Sequence, residues 1–284
     1  MKKSAWVIAL VLLLASSGYS LSFSLKVTGG AAYISSGDYN SGIDGINNYY
    51  AAGFSNVSSK FSKLRLGLDF HVEFMVDITR NFGLGLGVGT LQVSHAKDTV
   101  DYDWPFLSWT FHNTETQTLL VSAIPITLNA YFQVPLAGLN LKVFAGVGYY
   151  FGTMKFNSTF QSDFLLIGDT VAFKANKNAF GFQGGLGLEI PLGGGFSFIL
   201  DISGRYARLS DIRGDYEFTP TIFGVTQPTK TGSDYYFWYY EQNTGGVTYR
   251  MVSVGQSAPS GINARHGNFD LTGFSGQAGF KVSF

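Results

Sequence analysis

Asp69, His71 and Glu73 occupy alternate positions, so an extended strand would turn all three side chains to one face. An imidazole between two carboxylates could serve as a general base or as a proton-sensitive gate. One base without a placed nucleophile is thin ground for catalysis, and a hydrogen-bonded interior histidine is the weightier reading. His95, His112 and His266 fall on or near long polar links, where an enzyme built on such a scaffold would carry its site. No His/Ser/Asp trio has diagnostic spacing, so no catalytic residue is expected and the chain reads as a non-enzyme. Asp98, Asp101 and Asp103 could take calcium or bridge lipopolysaccharide phosphates, but they lack the calcium-loop pattern and read as a solvated acidic link. The glycine runs contain no G-x-G-x-x-G, and cysteine is absent, which removes thiolate metal sites, disulfides and a thiol nucleophile. No cofactor or metal is expected.

The elements that must carry these residues follow from composition. Of 284 residues, 13% are charged, about half the usual quarter, while 16% are aromatic and 36 are glycine. Lys+Arg and Asp+Glu both number 19, so no basic excess points to a nucleic-acid partner. Mean hydropathy is +0.13, too high for disorder, yet no apolar run of ~18 residues could form a spanning helix. Residues 1–20 read as a cleaved signal peptide: Lys2 and Lys3, an apolar stretch from Ala5 to Ala15, then Gly18 and Ser20 before the cut. Residues 21–284 form the expected exported domain.

Alternation runs through that domain. From Leu64 to Asp77, Leu64, Leu66, Leu68, Phe70, Val72, Phe74 and Val76 take one face, and Arg65, Asp69, His71, Glu73 and Asp77 take the other. Seven further segments repeat the pattern, giving eight strands. The links at Ile78–Asn81, Pro135–Gly138 and Pro191–Gly195 are tight, whereas those at 35–63, 94–117, 157–178 and 210–268 are long. Strict alternation of short and long links predicts an all-β fold: an eight-stranded antiparallel up-and-down transmembrane β-barrel with long extracellular loops. A ten-residue strand rising ~3.3 Å per residue and tilted ~40° spans roughly 25 Å, the height of a lipid-facing band. A soluble sandwich or lipocalin-type barrel would also alternate. Against it stand a second face too poor in charge for a solvated surface and aromatics gathered at strand ends. These are Tyr33, Tyr149, Tyr150, Phe151 and Tyr206 on the long-link side and Phe82, Phe132, Phe196 and Phe284 on the tight-turn side. Pro125 predicts a bulge or irregular pairing in the fourth strand, and a slip near Thr90–Leu91 predicts a bulge in the third.

Eight strands enclose only enough room for side chains. The inward set is Lys26, Arg65, Asp69, His71, Glu73, Lys142, Glu189, Asp201, Arg205 and Lys281, and isolated charges there would be costly, so pairing across a plugged lumen is expected. Gly83, Gly85, Gly87 and Gly89 should leave room for Asp69, His71 and Glu73 next door. In the last long link, Tyr235, Tyr236, Phe237, Trp238, Tyr239 and Tyr240, with 247–254, flank Asn243-Thr-Gly-Gly246 and read as a hairpin. With Trp104 and Trp109 these rings form a candidate loop surface for protein, glycan or lipid. The alternative is that they pack against other loops. Ten strands would result if this hairpin entered the membrane.

The segments Ala123–Phe132, Phe144–Phe151, Phe180–Glu189 and Leu200–Tyr206, together with the C-terminal run Phe274–Phe284, resemble the small outer-membrane β-barrel proteins of the OmpA/OmpX/OmpW-like type. The resemblance covers strands rather than loops. It implies an outer-membrane location amid lipid and lipopolysaccharide, with Phe280, Val282 and Phe284 as the signal read by the barrel-assembly machinery. It leaves function open between a structural, adhesive or surface-recognition protein, a narrow channel for small solutes, and a lipid- or peptide-modifying enzyme. The first is the expectation here, with any extracellular ligand unidentified.

Overall fold

In the computed structural model, residues 21–94 and 97–284 are described; the expected signal peptide and His95 lie outside them. Eight strands close a ring in which every neighbouring pair is antiparallel: β1 (Ser22–Ile34), β2 (Leu66–Asp77), β3 (Phe82–Ser94), β5 (Trp109–Leu136), β6 (Leu139–Ser162), β7 (Ile167–Gly193), β8 (Phe196–Leu209) and β15 (Gly273–Ser283). The last ladder, Ser24↔Ser283 to Ile34↔Gly273, joins the two chain ends and leaves the ring no open edge.

The alternating apolar face points outward. Leu66 is 69% exposed, Phe70 50% and Phe74 45%, values that only an apolar surrounding makes favourable over so many residues. The aromatic ends follow, with one exception: Tyr150 is buried inside the barrel, because it sits one position out of phase with Tyr149 and Phe151.

A clean eight-stranded barrel with loops is not what forms. Among the described residues there are fifteen strands. On the long-link side, β4 (Asp98–Phe106) takes over from β3 along β5, and β9 (Arg213–Ile222) takes over from β8 along β7. The ladder therefore continues well beyond the ring as an upper sheet. It grows through β11 (Lys230–Thr244), which pairs with β9, β12 (Val247–Gly255) and β13 (Ile262–His266). Two short strands, β10 (Val225–Thr226) and β14 (Phe269–Asp270), complete the set. Links 94–117 and 157–178 are thus hairpins. β4 alternates Val100, Tyr102, Trp104 and Phe106 with Thr99, Asp101, Asp103 and Pro105, whereas residues 112–118 of β5 are polar on both faces and lack the contrast that marks a lipid-facing strand, yet an existing ladder extends easily. The β11–β12 hairpin forms at Asn243–Gly246, with Gly245 and Gly246 at φ +60° and +81°, and it lies outside the ring, which passes through eight strands rather than ten.

Pairing of β3 with β5 lapses between Val88↔Ile126 and Leu91↔Ala123, opposite Pro125, as its missing N–H requires. No bulge accompanies it. Thr90 stays outward and Leu91 inward, and the register on both sides of the lapse is the same. What changes at Leu91 is chemistry rather than phase. Above this level the interior is apolar: Leu91, Val93, Val121, Met154, Phe173 and Leu209 pack together. The first long link supplies their lid, a helix α1 (Asp38–Gly53) that buries Tyr39 and Ile43 against them with Phe61 and Leu64.

Candidate functional site

Below that apolar layer the lumen holds charge. Lys26 Nζ lies 2.7 Å from Glu73 and 3.3 Å from Asp201. Glu189 pairs with Lys142 and, at 2.8 Å, with Lys281, while Arg205 meets Asp69 at 3.1 Å. Four bases and four acids thus cancel in three buried groups. Neutral donors add to three of the carboxylates: the Tyr131 hydroxyl (2.5 Å) and Asn129 amide (2.7 Å) donate to Glu73, Ser275 to Asp69 (2.6 Å) and Ser197 to Glu189 (2.9 Å). His71 Nε2 sits 3.0 Å from the Thr127 hydroxyl. The glycines of β3 make room as expected: a methyl on Gly85 would lie 2.3 Å from Glu73, and one on Gly87 2.3 Å from His71. A cavity of about 30 Å³ remains between Lys26, Asp69, His71, Gln183, Arg205 and Gln277. That volume admits only about one or two waters.

Arg65 is not part of this network. Its side chain is exposed, with the guanidinium 5.9 Å from the outward Tyr33 ring. The phase breaks one residue earlier. Asn40 on α1 accepts from the Leu64 N–H (2.8 Å) and donates to its carbonyl (2.9 Å), which turns Leu64 inward before the β2 ladder begins. Leu64 therefore belongs to the apolar lid and not to the outward face.

The acidic link has a structural task. Asp98 accepts from the Ser62 backbone (2.6 Å), Asp101 from the Ser58 hydroxyl (3.4 Å) and Asp103 from Asn56 (2.6 Å), which fastens the stretch after α1 along β4, while Asp101 also accepts from Thr114 on β5 (2.7 Å). Asp103 also meets His112 Nδ1 at 3.0 Å. The Asn56 and His112 contacts hold the Asp103 carboxyl below its usual range, and the Asp103 hydrogen bond raises His112. His266 pairs with Asp211 and stacks on Tyr236 at 4.2 Å.

The aromatic run of β11 does not form one exposed patch. Phe237 is in the apolar core; Trp238 is buried and donates its indole N–H to the Gly255 carbonyl (2.8 Å). Tyr235 stacks on Tyr216 at 4.2 Å, and Arg265 lies 4.5 Å over the Tyr239 ring. Trp104 gathers with Phe106, Phe111 and Phe164, and Trp109 stands exposed beside the β4–β5 turn.

Two features escape the sequence reading. The first is α1, although Tyr39, Ile43, Ile46 and Tyr50 have helical spacing. The second is Glu115, which accepts from the Tyr50 hydroxyl and from Gln117 (2.7 Å) beneath several tyrosines. Burial, then the Glu115 charge, push the Tyr50 phenol far up and that of Tyr102 up to about 12.

A family model described as outer membrane protein beta-barrel domain matches residues 7–227. Among solved structures, a major outer membrane protein from Thermus thermophilus is similar at a TM-score of 0.40 and 12% identity, over 94% of this chain and 100% of that one. The outer membrane protein OprG from Pseudomonas aeruginosa is similar at 0.37 and 11%, over 94% and 98%. No curated protein matches the sequence.

Proposed function

The chain belongs to the outer membrane protein beta-barrel domain family, and from that premise we propose that it is a closed, non-enzymatic barrel whose working surface is its upper, extracellular sheet. On this reading residues 1–20 are removed on export, and residues 21–284 act as one unit in surface recognition or adhesion. One observation carries it: two successive layers fill the lumen, a neutral set of eight paired charges and an apolar stopper under α1. A hydrated ion would have to open both. The upper sheet, by contrast, spends much of the chain on structure that spanning a membrane does not require.

The non-enzymatic reading is supported by the surroundings of the described histidines. His71, His112 and His266 engage Thr127, Asp103 and Asp211, and these pairs share no common centre. Phe280 on β15 and Phe284 just past its end are exposed, with Val282 between them, a placement suited to recognition by the assembly machinery before closure, with lipid and lipopolysaccharide as later neighbours. Planar-bilayer recording of the purified protein tests the proposal. Silence at moderate voltage is expected, and steady conductance would return the reading to a narrow solute channel.

A further inference from the structure

Between α1, the upper halves of β5–β7 and the β11–β12 hairpin lies an open cleft of about 300 Å³. Tyr49, Tyr50, Tyr216 and Tyr240 line it with Phe156, and Glu115 faces into it. A smaller hollow of about 40 Å³, lined by Ile46, Phe156 and Val252 among others, borders it. The larger space is at the lower end of the range for small-molecule sites, with mostly apolar walls and few polar groups.

The distinctive feature is uncompensated charge. Every group bonded to Glu115 is a neutral donor: the Tyr50 hydroxyl, the Gln117 amide at 2.7 Å and the Ser158 hydroxyl at 3.5 Å. No base among the described residues pairs with it, whereas each lumen carboxylate has one. Asp169 stands on the same sheet face, across Phe160 from Glu115, and is likewise unpaired among the described residues. Its carboxyl is raised by burial and by the Glu115 charge. The walls are set beforehand, since Tyr216 is stacked on Tyr235 at 4.2 Å and Tyr49 meets Tyr249 edge-on at 5.6 Å.

We propose that this cleft binds a small organic cation, an ammonium or guanidinium on an apolar body, with Glu115 as counter-charge and the tyrosines as walls. An aromatic face attracts a cation and an oriented carboxylate neutralises it, whereas a neutral apolar ligand would leave Glu115 desolvated and unpaired. The inference rests on reading the upper sheet as the working surface.

The test uses the full-length mature chain in maltoside micelles, which contribute no cation. Calorimetry compares benzyltrimethylammonium with neopentylbenzene, its neutral carbon isostere. The cation should bind saturably, about tenfold or more tighter than the isostere. Glu115→Gln keeps an acceptor for Tyr50 and should erase that preference, and Tyr216→Ala should weaken cation binding about threefold to tenfold. Equal affinity for the two probes, no saturable binding, or an unchanged preference in Glu115→Gln would overturn the proposal. Bilayer recording on the same preparation separates the two readings. A conducting barrel that still prefers the cation sinks only the closed-lumen reading, and a silent barrel without that preference sinks only this one.

Discussion

Gly45 of α1 lies against the backbone of β12 so closely that a methyl group there would sit 1.6 Å from the Arg250 carbonyl oxygen. Val252 makes the same demand of Gly42, one helical turn earlier, where an added methyl would lie 2.5 Å away. The helix can seat its Tyr39 and Ile43 in the lid only because both positions are glycine. Gly45→Val should therefore lift α1 from the hairpin at a cost of about 1–3 kcal/mol or more, since backbone cannot yield as a side chain can. Limited proteolysis should cut the variant within 38–53 while the ring keeps its folded electrophoretic mobility without heating. Protease resistance equal to wild type would contradict the seating described.

That helix also shows what the sequence could and could not disclose. The eight ring strands were legible because lipid outside and a packed lumen inside force a strict two-residue contrast, as at Phe70 and His71. Beyond the membrane it holds only in places, as along Val100, Tyr102, Trp104 and Phe106 of β4. Thr114, Glu115 and Thr116 extend β5 without any apolar face, and the same chemistry would suit a loop. The lumen pairs could be named as a set but not matched, because register joins residues as distant as Asp69 and Arg205. Alternation alone puts Arg65 inside, and the structure puts it outside, because the capture of Leu64 by Asn40 depends on a helix that local alternation cannot reveal.

The neutral lumen predicts a particular pattern of coupling. Glu189 separates Lys142 from Lys281, so Glu189→Gln leaves two buried ammonium groups without an acid and should cost about 3–5 kcal/mol. Adding Lys281→Met should recover part of that loss, because one of the stranded charges is gone. Lys63→Met, which breaks the exposed 2.7 Å pair with Asp44, should cost less than about 1 kcal/mol. Urea unfolding in micelles ranks the three. A double variant less stable than Glu189→Gln alone would argue against the pairing.

The His112–Asp103 contact fixes a pH window at the β4–β5 hairpin. His112 is raised by its Asp103 bond, so its contribution is complete below the unfolded value of about 6.5 and is lost as pH rises through the folded one. Asp103 is held down, first by Asn56 and then by His112, so its contribution is present above the ordinary carboxylate range and is lost as pH falls through the depressed value. Both partners are charged only between those limits. In NMR titration the His112 midpoint should lie above that of a free histidine, and Asp103→Asn should move it down. A midpoint indifferent to that substitution would remove the pairing.

Thr90 and Leu91 are neighbours on opposite sides of the wall, one outward and one fully buried, at the level where the lumen turns from polar to apolar. Trp104, Trp109 and Trp238, the tryptophans of residues 21–284, all lie in the upper sheet and away from this level, so a tryptophan placed on the ring reports with little background. Phe70→Trp and Thr90→Trp should be quenched strongly by brominated acyl chains. The chain has no cysteine, so Leu91→Cys supplies a single thiol that maleimide should reach only after unfolding. Both halves of the result are needed, because outward rings alone are compatible with a wide pore. Rapid labelling of Leu91→Cys in the folded protein would mean that water reaches this layer, and the apolar stopper would have to be abandoned.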